Sequence, residues 1–80
     1  MALDKAKLVA FLEKDLKLDV AALSDDEPLF SSGMIDSFML VSMMQFVEKQ
    51  GGFRIPPGDV TLDNLDTIGR ILAYARRMTG

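Results

Sequence analysis

The chain has 80 residues, of which 49% are hydrophobic, and its net charge at pH 7 is −3. This length predicts one small domain over residues 1–80, and the hydrophobic content argues against disorder. A negative net charge disfavours nucleic acid as a partner, because phosphate binding requires a basic surface. Cysteine and histidine are absent, which excludes disulfides, the common zinc sites and the Ser-His and Cys-His pairs of nucleophilic enzymes.

The distribution of apolar and charged residues gives a further expectation about location and partners. No apolar run is long enough to span a membrane, and residues 1–9 lack the apolar core of a signal peptide. We therefore expect a cytoplasmic protein. Eight of the twelve acidic residues precede residue 40, and they are densest at 25–27. That cluster is either a solvated loop or a surface that steers basic partner enzymes, and it lacks the spacing of a calcium-binding loop.

Residues 4–17 have the periodicity of an amphipathic helix, with Asp4 as the predicted N-cap. Polar side chains, mostly lysine, occupy the side opposite the apolar stripe. The stripe at positions i, i+3, i+4 and i+8 consists of Leu8, Phe11, Leu12 and Leu16.

A long connection over residues 18–36 follows, with a turn predicted at 24–28. A loop of this length in a small domain is usually functional or is packed by its own side chains. The predicted apolar anchors are Leu18, Val20, Leu23, Leu29 and Phe30.

The end of this connection combines a turn residue with a helix cap. Gly33 permits a turn with positive φ, and Asp36 and Ser37 are residues that begin helices. The Ser37 hydroxyl is therefore expected near free backbone N–H groups at the positive end of a helix dipole. Such a position stabilises an anion, so that a phosphate esterified to Ser37 would be well placed.

Residues 37–50 are predicted to form the second main helix. One broad apolar arc is made by Leu40, Met43, Met44, Phe46 and Val47. Phe38 and Val41 fall within the polar arc, and Met39 lies at the edge of the apolar one. A helix that is apolar beyond one face is either deeply buried or offers a docking surface.

The remaining residues are predicted to form a turn, a short helix and a last helix. Gly51 and Gly52 end the second helix, and Phe53–Gly58 is an extended segment and turn. A short helix or turn covers 59–65 with Val60, Leu62 and Leu65 facing inward. Asp66 and Thr67 are candidate caps for a helix over 67–78. Its apolar stripe consists of Ile68, Ile71, Leu72 and Ala75.

The run Leu29-Phe30-x-x-Gly33-x-x-Asp36-Ser37 followed by Phe38 resembles the modification site of the acyl carrier protein family. The resemblance covers about Leu3 to Met78 and implies an all-α, small up-and-down bundle of three main helices plus one short helix. In that family the serine carries 4′-phosphopantetheine, made from coenzyme A, whose thiol holds the cargo as a thioester. The resemblance therefore implies that Ser37 is the attachment residue, that Asp36 supports modification, and that the protein is a non-catalytic carrier.

The resemblance also implies partners and a cargo site. The partners would be a phosphopantetheinyl transferase, an acyl- or aminoacyl-loading ligase and downstream transferases, and we expect a monomer. Residues Phe38, Met39 and Val41 would dock partners, or else pack against the loop. Flexible methionines either fill gaps in the core or line a pocket that opens for the attached chain. The pocket candidates are Leu40, Met43, Met44 and Val47.

The sequence departs from the family pattern at three places, and the first two leave the cargo open. Two residues, Met34 and Ile35, separate Gly33 from Asp36 where one is commoner, and this longer spacing is similar to that of D-alanyl and other aminoacyl carriers and of some stand-alone acyl carriers. The second helix, which is rich in acids in fatty-acid carriers, has Glu48 as its only acid. Gly51 stands where the family usually has an aromatic residue, a loss that Phe53 is expected to cover.

Three functions consequently remain in competition. The first is an acyl carrier of a fatty-acid-like or polyketide-like pathway, which the apolar interior favours. The second is an aminoacyl or D-alanyl carrier loaded by an adenylating ligase, which the spacing and the non-acidic second helix favour. The third is an unmodified helical protein-docking module that binds a partner helix through its exposed apolar residues.

Overall fold

Four α-helices make up the regular structure of the computed structural model, which describes residues 3–19 and 24–79. The helices are α1 (Lys5–Lys14), α2 (Ser37–Gly51), α3 (Leu62–Leu65) and α4 (Ile68–Thr79), and a 3₁₀ helix covers Pro57–Asp59. The described residues include no β-strand. Helices α1, α2 and α4 pack against one another, and α3 packs against α4. The predicted bundle of three main helices plus one short helix is therefore confirmed.

The core combines the apolar stripes of the helices with single residues from the connections. Leu3, which precedes α1, and three connecting residues at positions 29, 35 and 55 join helical side chains in one cluster. Each fully buried aliphatic side chain contributes about 1.5–3 kcal/mol to the burial free energy, most of which offsets the entropy lost on folding. The buried apolar residues are Leu3, Leu8, Leu12, Leu29, Ile35, Met43, Val47, Ile55, Leu65, Ile68, Ile71, Tyr74 and Ala75.

Helix α1 begins where predicted but ends earlier. The Asp4 side chain accepts a hydrogen bond from the Lys7 N–H at 2.9 Å, which confirms the N-cap. The helix ends at Lys14 rather than at residue 17, because Lys17 adopts a left-handed conformation with φ of 59°. The Phe11 ring stacks on Phe46 of α2 with ring centroids 4.3 Å apart, which joins these two helices.

The predicted anchors of the following connection have different outcomes. Leu29 is buried and Phe30 is partly buried, as expected, and Leu18 packs at the edge of the core. Val20 and Leu23 lie outside the described residues.

Helix α2 ends at a glycine, and an aromatic ring covers its last turn. Gly52 has φ of +71° and donates its N–H to the Glu48 carbonyl at 2.8 Å, in the left-handed conformation that glycine tolerates. A Cβ added to Gly51 would collide with the Phe53 ring. Phe53 therefore fills the space that a side chain at residue 51 would take, as the sequence led us to expect.

The segment after α2 is less regular than predicted, and one expected core residue is exposed. Residues 59–65 are divided between the end of the 3₁₀ helix and the four-residue α3. The prediction that Leu62 faces inward is wrong, since it is 46% exposed. A helix of one turn presents only a narrow face to α4, and Leu65 occupies it.

Helix α4 has the predicted apolar stripe and one buried residue that the prediction missed. Ile68, Ile71 and Ala75 are buried, and Leu72 is partly buried. The Tyr74 hydroxyl donates to Asp59 Oδ2 at 2.7 Å and so ties the 3₁₀ helix to α4. Burial and the hydrogen bond to this carboxylate raise the pKa of Tyr74 to about 12.

Across residues 3–19 and 24–79, no helix combines the length and apolarity that a membrane span requires.

Candidate functional site

Ser37 is the first residue of α2 and is exposed to solvent. The preceding Asp36 has the extended backbone of an N-cap, and its Oδ1 accepts a hydrogen bond from the Met39 N–H at 2.9 Å. The Asp36 carbonyl accepts from the Leu40 N–H at 2.9 Å, which starts the helical pattern. Ser37 is consequently exposed to solvent at a helix N-terminus.

The surroundings of Ser37 suit a phosphate ester. Helix α2 is fifteen residues long, and its first turn contains no acidic residue. The free N–H groups and the dipole of such a helix stabilise negative charge at its start. A phosphodiester on Ser37 would therefore experience repulsion chiefly from Asp36, whose carboxylate already accepts a backbone hydrogen bond.

The segment before Ser37, residues 28–36, is called here the Ser37 loop. Gly33 has φ of +84° and donates its N–H to the Phe30 carbonyl at 3.1 Å, as the predicted turn requires. The Ile35 N–H donates to the Leu29 carbonyl at 3.0 Å, and both side chains are buried. The longer spacing between Gly33 and Asp36 thus supplies a core anchor directly before the helix cap.

Asp66, which lies between α3 and α4, holds the Ser37 loop by direct hydrogen bonds. Its Oδ1 accepts from the Phe30 N–H at 2.8 Å and the Ser31 N–H at 2.9 Å, and its Oδ2 accepts from the Ser31 hydroxyl at 2.7 Å. The Leu29 N–H donates to the Asp66 backbone carbonyl at 2.6 Å. The sequence suggested only that Asp66 caps a helix. No local signal linked Asp66 to Phe30 and Ser31, which precede it by 36 and 35 positions.

The cap of α4 is instead Thr67. Its Oγ1 accepts a hydrogen bond from the Arg70 N–H at 3.0 Å. The Asp25 carbonyl also contacts this helix end, where it accepts from the Gly69 N–H at 3.0 Å. The Asp66 carboxylate is therefore not needed to start α4.

The charge state of Asp66 follows from its contacts. Burial raises the pKa of the Asp66 carboxyl, but the hydrogen bonds from Ser31 and the Phe30 and Leu29 amides outweigh burial, and the pKa lies below its ordinary value. The ionised carboxylate is the form that the loop binds.

The acidic cluster at 25–27 is mostly at the surface. Asp26 and Glu27 are exposed, and Asp25 forms an ion pair with Lys5 at 2.7 Å. An exposed ion pair of this kind contributes little to stability. Among residues 3–19 and 24–79, no group of three acidic side chains is arranged to hold a metal ion.

The exposed face of α2 next to Ser37 is apolar. Phe38 is 87% exposed and Val41 is 51% exposed, whereas Met39 is partly buried. The only acid of this helix, Glu48, accepts a hydrogen bond from the Ile55 N–H through Oε2 at 2.7 Å. The Glu48 carboxylate is thus used to hold the chain that leaves α2.

A cavity of about 120 Å³ lies between the Ser37 loop, α2 and the segment around α3. Of the residues predicted to line a cargo pocket, Leu40 lines it, Met43 and Val47 are wholly buried in the core, and Met44 is partly buried. The sequence did not single out the other lining residues as a group. The lining residues are Phe30, Leu40, Val60, Thr61, Leu62 and Leu65.

Two comparisons relate this chain to known proteins. A family model described as the phosphopantetheine attachment site matches residues 6–75. The D-alanyl carrier protein of Abiotrophia defectiva is 30% identical over 71 residues, which cover 89% of this chain and 90% of that protein. The region that the family model matches includes all of α1 but its first residue, together with the Ser37 loop, α2, α3 and most of α4.

The contacts of Asp66 predict a specific loss of stability in acid. The pKa of this carboxyl is lower in the folded protein than in the unfolded chain. The ionised carboxylate therefore contributes fully to the free energy of unfolding above the unfolded pKa of about 3.9, and this contribution is lost as the pH falls through the lower folded pKa. We expect Asp66→Asn to lower the free energy of unfolding at pH 7 by about 1–3 kcal/mol. Urea denaturation between pH 7 and pH 2.5 should show a smaller decline in acid for this variant than for the wild type.

The matched control is Asp63→Asn, which removes the same charge from an exposed residue of α3. This variant should keep the wild-type stability at pH 7 and the wild-type decline in acid. An Asp66→Asn protein as stable as the wild type at pH 7 would contradict the role given to the carboxylate.

Proposed function

The chain belongs to the family of carrier proteins with a phosphopantetheine attachment site, and we propose that Ser37 is the residue that bears this group. Proteins of this family are carriers and not catalysts. The observation that supports Ser37 most directly is its exposure at the N-terminus of α2, next to the capping Asp36. The group supplies the thiol that a chain without cysteine lacks.

The modification is a phosphoryl transfer from coenzyme A. The Ser37 hydroxyl oxygen attacks the phosphorus next to the pantetheine arm, the bond from that phosphorus to the adenosine part breaks, and adenosine 3′,5′-bisphosphate leaves. The hydroxyl proton passes to a base of the transferase. Asp36 supports this step by holding the start of α2 through its bond to the Met39 N–H. Its carboxylate would also orient the transferase or the metal ion of that enzyme, as the family resemblance implies.

The carrier delivers a thioester-linked acyl group to partner enzymes. A flexible arm tethered to the protein raises the local concentration of its cargo at each partner's site. The cavity beside Leu40 suits only a small apolar group, since cavities of about 150 Å³ accommodate a molecule the size of benzene. A longer acyl chain would require the loop and α2 to separate.

An aminoacyl cargo such as D-alanine is the second candidate. The similarity to the D-alanyl carrier protein of Abiotrophia defectiva favours it. The longer spacing between Gly33 and Asp36 and the scarcity of acidic residues on α2, where Glu48 is the only acid, also favour it. In this case an adenylating ligase would load the thiol.

We expect Ser37→Ala to abolish attachment and to keep the fold. The purified protein and coenzyme A would be incubated with a broad-specificity phosphopantetheinyl transferase, and the intact mass would be measured. The wild type should gain one phosphopantetheine and Ser37→Ala none, while circular dichroism is the same for both.

The control variant is Ser42→Ala, because Ser42 is an exposed serine of the same helix. It should be modified like the wild type. A wild-type mass that never rises would favour the unmodified docking module, and a loss of helicity in Ser37→Ala would mean that this serine is chiefly a structural cap.

The cargo is identified by loading the modified protein. Incubation with ATP and either an acyl ligase with a fatty acid or an adenylating ligase with D-alanine should give a mass increase with one of the two cargoes. Loading by D-alanine alone would establish the second candidate, and loading by the fatty acid alone would exclude it. Hydroxylamine should release the cargo, since a thioester is cleaved by this nucleophile.

Partner enzymes dock on the apolar face made by Phe38, Met39 and Val41. Phe38 is adjacent to Ser37 and almost fully exposed, so a partner that reaches the serine also contacts this ring. Apolar anchors near the centre of an interface supply binding energy, while charges at the rim mainly affect the rate of encounter. The engagement of Glu48 with Ile55 leaves the apolar side chains as the main contacts on α2.

We expect Phe38→Ala to lower kcat/KM for modification of Ser37 by about tenfold, chiefly through a higher KM for the carrier. Its free energy of unfolding should change by less than about 0.5 kcal/mol, because the ring is exposed. Steady-state kinetics and urea denaturation measure the two quantities. Met78→Ala, which removes an exposed apolar side chain of α4, should leave kcat/KM unchanged.

A further inference from the structure

We propose that Asp66 is a positioning residue that fixes the Ser37 loop and thereby presents Ser37 to the enzyme that modifies it. The inference rests on the function proposed for Ser37. Asp66 follows Ser37 by 29 positions. We give its side chain a role in the modification of Ser37, although this side chain does not touch the reacting atoms.

Asp66 is built to hold this loop. The residue is buried, and both of its carboxylate oxygens accept hydrogen bonds from the loop, two from backbone N–H groups and one from the Ser31 hydroxyl. Hydrogen bonds to an ionised acceptor are about twice as strong as neutral ones. The Leu29 N–H adds a bond to the Asp66 carbonyl, so three successive loop residues are held by one residue.

The constraint extends along the loop to the serine. The Phe30 carbonyl accepts from the Gly33 N–H, and the Leu29 carbonyl accepts from the Ile35 N–H. Ile35 is buried and immediately precedes Asp36, which caps α2. A chain of direct contacts therefore leads from Asp66 to the residue before Ser37.

The same contacts are not required to form the helices. Thr67 caps α4 and Asp36 caps α2, so neither helix start depends on the Asp66 carboxylate. Leu29 and Ile35 remain available as core anchors when the carboxylate is neutralised. Loss of the charge should therefore loosen the loop while the bundle persists.

The test compares Asp66→Asn, Ser31→Ala and the double variant with Asp63→Asn, the exposed acid of α3. Kinetics of phosphopantetheine transfer would be measured at a temperature well below the unfolding of every variant. We expect kcat/KM to fall about tenfold for Asp66→Asn and about threefold for Ser31→Ala, with Asp63→Asn unchanged. The double variant should be no slower than Asp66→Asn alone, because the two side chains act as one unit.

Amide hydrogen exchange provides a readout that does not depend on modification. In Asp66→Asn the Phe30 and Ser31 amides should retain about tenfold less protection than amides in the middle of α1 and α4, which should lose only the protection that the lower free energy of unfolding removes. Equal protection of the loop amides and of the α1 and α4 amides in this variant would overturn the inference, because the Ser37 loop would then open only when the whole domain unfolds.

The kinetic result separates this inference from the proposed function. A wild type that is modified, together with an Asp66→Asn variant modified at the same rate while folded, would overturn the positioning role and leave the function of Ser37 in place. A wild type that no transferase modifies would overturn the function proposed for Ser37, and with it the presentation of that residue by Asp66.

Discussion

The contact between the Asp66 carboxylate and the Ser37 loop is the constraint on which the geometry of the site depends. A loop with several inward-facing N–H groups is costly unless each finds an acceptor, and here one buried carboxylate serves two of them and a hydroxyl. The energetic cost of burying its charge is offset because the loop supplies charge-assisted bonds. The fold thus links the segment before α2 to the segment between α3 and α4.

At the start of α2, the residue that packs in the core lies within three positions of the residues that are exposed to solvent. Ile35 is buried on one side of the cap, while Ser37 and Phe38 are exposed on the other. The backbone between them turns outward within two residues, and Asp36 accepts a hydrogen bond there from one free N–H of the first helical turn, that of Met39. The exposed serine and ring therefore contribute little to the core.

Local features could be predicted from the sequence, and distant ones could not. Asp4, Gly33 and Gly52 act on residues within four positions of themselves, and their roles are fixed by side-chain chemistry and by φ. The bonds of Asp66 to the loop and of Glu48 to Ile55 depend on how the chain folds back, and nothing in their neighbouring residues signals them. Leu62 illustrates the same limit for burial, since its exposure depends on where the one-turn α3 meets α4.

The hydrogen bond between Tyr74 and Asp59 has a consequence for spectroscopy. Tyr74 is the only tyrosine, and the chain has no tryptophan, so all absorbance and emission from phenol or indole groups comes from one buried position. A phenol bonded to a carboxylate, with the Phe53 ring 6.0 Å away and the Arg77 guanidinium 5.7 Å from its own ring, differs optically from one in water. The chain therefore contains a native chromophore that reports, without any label, on the contact between the 3₁₀ helix and α4.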